Sequence, residues 1–119
     1  MSRLLEGDLI LMRIFIGESD RSGKRPLYEV LLELFMENGL AGATVLRGAA
    51  GFGAGSKLHT DRLLRLSSDL PVVVEVVDSQ AKIDALLPEL DKLLTGGMIT
   101  LEKAHVIRYF CNPAAGDVC

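Results

Sequence analysis

The run Gly51-Phe52-Gly53-Ala54-Gly55-Ser56-Lys57 sets alternating glycines ahead of a lysine, and His59, Asp61, Arg62 and Arg65 follow it closely. The chemistry such a stretch suits is the holding of an anion. Glycine has no Cβ and reaches positive φ cheaply, so backbone N–H groups can close on a phosphate. Lys57, Arg62 and Arg65 would add charge-assisted hydrogen bonds. The alternative is a plain solvated connection, because the spacing is not that of a GxxxxGK[ST] phosphate loop and no clear helix follows to aim its dipole at an anion. Three more arginines, Arg13, Arg47 and Arg108, interrupt apolar runs. A guanidinium there either pairs across an interface or takes an anion bidentately.

His59 and Asp61 stand two apart, but the only other histidine is His105, far along the chain, so a metal site lacks its further ligands. No nucleophile, base and orienting group can be assembled, and the chain is read as a binding protein rather than an enzyme. His59 suits a hydrogen bond to a ligand or to a neighbouring subunit. Cys111 and Cys119 form neither a CxxC pair nor a Cys/His cluster and are read as reduced thiols.

The elements that would position these groups follow from periodicity. Residues 8–16 are apolar and rich in β-branched side chains, as expected of a strand. A polar connection with Gly23 leads to Pro26 in the first turn of a helix, where Leu27, Val30, Leu31, Leu34 and Phe35 recur at spacings of three and four. Asn38-Gly39 supplies its left-handed end. Residues 43–48 and 71–77 read as the second and third strands, with the glycine-rich loop of about residues 50–65 between them. Asp78-Ser79 caps a second helix whose stripe is Ile83, Leu86, Leu87, Leu90 and Leu94; Pro88 inside it predicts a kink or break near Leu87. Thr95-Gly96-Gly97 stops that helix, residues 98–110 return as a fourth strand, and residues 111–119 form a flexible tail.

The order strand, helix, strand, strand, helix, strand predicts an α+β, ferredoxin-like βαββαβ sandwich, with two helices on one face of a four-stranded antiparallel sheet. Residues 1–119 make a single domain by length. The first and third strands read as nearly continuous apolar runs, the mark of strands covered on both faces. No third helix is available, so a second copy of the chain is the expected cover. With 13 basic against 16 acidic residues, the net charge of −3 gives no footprint for nucleic acid. No apolar run approaches the roughly 18 residues of a membrane span, so no membrane insertion is expected. Arg3, Glu6 and Asp8 break any signal-peptide core, which points to the cytoplasm.

The segment Gly39-Leu40-Ala41-Gly42-Ala43-Thr44-Val45, with Gly51-Phe52-Gly53 and His59-Thr60 after it, resembles the GxTGxTVxxxxGFGxxxGHT pattern of PII signalling proteins. Weaker matches continue through Thr95-Gly96 and Val106-Ile107-Arg108. Within that group the chain looks most like the PII-like family called domain of unknown function 190. That family similarly pairs GATVxRGxxGFG with DxPVVxExVD, here residues 42–53 and 69–78.

The resemblance implies a homotrimer with an adenine nucleotide (ATP, ADP or AMP) bound between subunits and a loop that switches contact with a target protein such as a transporter. It implies ligand contacts from Gly51, Phe52, Gly53, Lys57, His59, Arg62, Gly96, Gly97 and Arg108, with Arg108 matching an arginine of the PII nucleotide cleft. Two features depart from the PII pattern. The turn at residues 95–100 is shorter than TGxxGDGK and has no matching lysine, and the loop lacks the tyrosine that is modified in some PII proteins. The missing lysine favours the alternative of a trimeric interaction module without a small-molecule ligand.

Overall fold

In the computed structural model residues 5–53, 59–60 and 69–110 are described, 59–60 by their backbone alone. The chain forms β1 (Gly7–Gly17), a two-residue ribbon of β2 (Arg21–Ser22) and β3 (Arg25–Pro26), then α1 (Leu27–Glu37) and β4 (Thr44–Arg47). A second small ribbon of β5 (Ala50–Gly51) and β6 (His59–Thr60) precedes β7 (Pro71–Asp78), α2 (Gln80–Leu93) and β8 (Met98–Val106). The long strands pair antiparallel in the order β4-β7-β1-β8. This is the α+β, ferredoxin-like arrangement that the sequence predicts.

Alternation along the strands decides where the core lies. Met12, Ile14 and Ile16 of β1 pair with Val76, Val74 and Val72 of β7, and all six are buried. Against them pack Leu27, Leu31 and Phe35 from α1 and Ile83, Leu86 and Leu90 from α2. Full burial of each such side chain contributes about 1.5–3 kcal/mol. Capping is weaker: α1 begins after Pro26 with no side-chain cap, and at α2 the Ser79 hydroxyl accepts from the Lys82 N–H at 3.3 Å. Packing on the sheet, more than capping, therefore holds both helices in place.

The end of α1 shows how sequence sets local geometry. Gly39 has φ +71°, its N–H donates to the Met36 carbonyl, and the Leu40 N–H donates to the Phe35 carbonyl. These are the two bonds of a Schellman motif, and the left-handed residue is the glycine the sequence places there.

Two expectations change. Of the kink or break predicted near Leu87, the break does not occur, since α2 runs unbroken to Leu93 with Pro88 inside it. Pro88 and Asp84 both lie on the exposed side, so water can reach the carbonyl the proline leaves unbonded while the buried stripe continues past it. The fourth strand stops at Val106 rather than 110.

The expectation of strands buried on both faces is met on one face only. On the other, Leu46, Val73, Phe15 and Met98 form an apolar row across all four strands, followed by Thr44, Glu75, Arg13 and Thr100. Leu46 and Met98 are 48% and 53% exposed, at the two ends of that row.

Candidate functional site

On the open face of the sheet, where β4 begins and β7 ends, lies a cleft of about 530 Å³. Its walls are residues 41–44 and Leu46, the β7 residues Glu75, Val76 and Val77, Leu11 of β1, and Leu5, Val106, Arg108 and Tyr109. An apolar lining with a few converging polar groups, in a volume of this size, is the usual form of a small-molecule site.

The three arginines singled out in the sequence differ in what they are free to do. Arg13 is held between Glu75 at 3.4 Å and Glu102, so a charged ladder crosses β7, β1 and β8. Arg47 pairs with Glu18 at 2.9 Å. Arg108 pairs with no carboxylate among the described residues; its guanidinium sits 5.4 Å from the centre of the Phe110 ring at the side of the cleft. A cation on an aromatic face keeps its N–H edges for another acceptor.

The wall at residues 41–44 is fixed by two side chains that the sequence reading did not assign to a site. Asp78, fully buried, accepts from the Ala41 N–H at 2.9 Å and from the Ser79 N–H at 2.7 Å. The Tyr109 hydroxyl donates to the Ala41 carbonyl at 3.1 Å. Both backbone polar groups of Ala41 are thus tied down, one to the end of β7 and the other to the segment after β8. A signal existed for Asp78: an acid closing an apolar strand just before a helix must find backbone donors if it is buried. For Tyr109 the signal was an aromatic with a polar tip near the end of the predicted last strand.

The glycines that drew attention in the sequence lie elsewhere. A Cβ on Gly51 would come within 2.9 Å of the Pro71 ring, and one on Gly48 within 2.7 Å. Gly97 has φ +91°, and a Cβ there would strike the Phe15 carbonyl oxygen. All three sit at the end of the sheet where β7 starts and β1 finishes. Between Gly97 and Arg108 runs the whole of β8, about 26 Å of extended strand. Gly51, Gly53, Gly96, Gly97 and the 75% exposed Phe52 therefore do not meet Arg108 within one chain.

The backbone of His59 pairs with Gly51 across the small ribbon. Lys57, Arg62 and Arg65, most of the loop of residues 50–65, the cysteines and the predicted tail at residues 111–119 lie outside the described residues. Among the described residues no group of three His, Cys, Asp or Glu side chains converges to hold a metal ion, and no helix is long and apolar enough to cross a membrane.

Comparison with known proteins places these features in a family. Residues 9–106 match the model of the DUF190 family, described as "Uncharacterized ACR". A UPF0166 protein of Aquifex aeolicus is 44% identical over 97 residues, spanning 82% of this chain and 91% of its own length. A UPF0166 protein of Methanocaldococcus jannaschii is 30% identical over 99 residues, with the same two coverages of 82% and 91%. Among solved structures, CPII from Thiomonas intermedia K12, a nitrogen regulatory PII-like protein bound to ADP, AMP and bicarbonate, superposes with a TM-score of 0.62 at 16% identity, covering 89% of this chain and 92% of that chain. The GlnK–ATP complex of B. subtilis superposes with a TM-score of 0.54 at 14% identity, over 84% of each chain. At such identities the superpositions show a shared PII-like fold.

Proposed function

The chain belongs to the DUF190 family, and on that premise we propose that it is a PII-like regulatory protein that binds an adenine nucleotide, or a related small effector, in the cleft beside Arg108. The observation that carries this reading is that cleft: apolar walls wide enough for a base, and at its side a guanidinium that pairs with no carboxylate among the described residues. Support comes from two proteins of the same fold whose structures hold adenine nucleotides, CPII with ADP and AMP and GlnK with ATP.

Gly51, Phe52, Gly53, Gly96 and Gly97 stand at the opposite end of the sheet from Arg108. A ligand that touches both groups must therefore lie between two subunits. The apolar row from Leu46 to Met98 on the open face is the surface we assign to contact between copies in a cytoplasmic homo-oligomer, most simply a trimer. We assign Lys57, His59 and Arg62, with the rest of the loop, to contact with the effector or with a target protein such as a transporter. The role is one of binding and regulation, with no catalytic step assigned.

Titration calorimetry with ATP, ADP and AMP, and with the matching guanine nucleotides as controls, tests the reading. The expected result is saturable binding of one adenine nucleotide, weakened about tenfold or more in Arg108→Ala, as for a charge-assisted contact of about 1.5–3 kcal/mol. Equal binding by the variant would remove Arg108 from the site. No binding of any nucleotide, together with an intact oligomer, would favour the interaction module without a ligand.

A further inference from the structure

The N–H and C=O of Ala41, on the cleft wall, are both taken by side chains from distant parts of the chain. Asp78 comes from the junction of β7 and α2, and Tyr109 from the segment that follows β8. The two bonds differ in character. Asp78 is fully buried, belongs to the packed end of β7 and also receives the Ser79 N–H, so it serves the fold whether or not the cleft is used. The Tyr109 hydroxyl makes a single bond, 68 residues away in sequence, from a segment outside the sheet.

That bond has a geometric consequence for its neighbour. Arg108 immediately precedes Tyr109, lies beyond the last residue of β8 and is itself exposed. Its described contact, the ring of Phe110, belongs to the same short segment and cannot tether it to the rest of the molecule. With the ladder ended at Val106, the hydrogen bond of the Tyr109 hydroxyl ties this segment, among the described residues, to the opposite wall of the cleft.

We propose that Tyr109 is a positioning residue of the effector cleft: its hydroxyl, bonded to the Ala41 carbonyl, fixes the wall at residues 41–44 and holds the Arg108 guanidinium where an anionic ligand must pass. The proposal rests on the cleft being the effector site. Side-chain anchoring of this kind preorganises a charged group, so less ordering entropy is lost when ligand arrives.

Tyr109→Phe removes the hydroxyl and keeps the ring, so it separates the hydrogen bond from packing. In the protein without ligand, backbone hydrogen exchange at residues 41–44 should quicken several-fold in Tyr109→Phe while exchange in β1 and β7 stays as in the wild type. With ADP, the dissociation constant should rise about fivefold, as for the loss of a hydrogen bond of ordinary strength. That penalty should shrink to the part owed to the wall at residues 41–44 when Arg108→Ala is already present, because there is no guanidinium left to position.

Unchanged exchange at residues 41–44 would overturn the proposal, whatever the protein binds. So would a fivefold penalty that persists in the Arg108→Ala background, which would mark Tyr109 as an independent contact. Failure of the wild type to bind ADP, ATP or AMP would count against the proposed function, while the exchange result would still decide the clamp.

Discussion

The two ends of the sheet use small residues for different reasons. At the end where β1 finishes and β7 begins, glycine is required by contact: the Pro71 ring lies against Gly48 and Gly51, and the Phe15 carbonyl oxygen against Gly97. At the other end, Gly42 has nothing within 4 Å of where its Cβ would be, and it borders the cleft. A glycine with a packing reason says little about ligands. One with open space beside a cleft leaves room that a ligand can use, and the contrast between the ends can be broken by substitution.

The largest effect should come from Gly97→Ala. The new methyl group would meet a backbone oxygen at a positive φ, so the cost should be about 3 kcal/mol or more, read as a large drop in the denaturation midpoint. An alanine tolerated there would mean that the turn shifts easily and that its glycine is free for another use. Next in size is Asp78→Ala, which leaves the half-buried Ala41 and Ser79 N–H groups without their acceptor and should cost about 1–3 kcal/mol. Its ligand affinity should fall as well, because the same change loosens the wall at residues 41–44.

Gly42→Ala should behave in the opposite manner to Gly97→Ala, with stability within about 0.5 kcal/mol of wild type and a clear change in nucleotide affinity. If stability falls and affinity does not, the distinction between the ends is wrong.

The smallest effect lies off the main sheet, where Arg25 binds Glu33 through two hydrogen bonds of 2.7 and 2.8 Å. The hydrogen bond from Arg25, and after it the charge of that guanidinium, hold the Glu33 carboxyl below its ordinary value. Its folded-state pKa is thus lower than in the unfolded chain. The stabilisation is present above about pH 4.3, the unfolded value, and is lost as pH falls through the folded value. The pair is exposed, so Glu33→Gln should lower the melting temperature only slightly at neutral pH, and the difference should close in acid.

Much of the architecture could be read in the chain because it rests on local signals. The spacing of Leu27, Leu31 and Phe35 marked the buried side of α1, Asn38-Gly39 marked its end, and the apolar runs marked β1 and β7. The alternation of buried and half-buried residues in those strands was hidden, because valines and leucines occupy both faces and hydrophobicity alone cannot tell a core face from an uncovered one. Pro88 misled because the break it predicts assumes a helix held by its own hydrogen bonds, whereas Ile83, Leu86 and Leu90 pack α2 on the sheet on both sides of the proline.

The site was legible only in part. Arg108 was identified, but the wall it faces comes from residues 41–44 and 75–77, which β4 and β7 bring together by pairing and which are separate in sequence. No local pattern announces that Asp78 and Tyr109 meet at Ala41, because that meeting is a consequence of the completed fold.

The central claim is that the effector site lies at the Arg108 end. Hydrogen-exchange mass spectrometry of the wild-type protein with and without saturating ADP tests it most directly. The account predicts that ligand slows exchange at residues 41–44, 75–77 and 106–109. Protection confined to residues 51–53 and 96–97, with the Arg108 end unchanged, would contradict it.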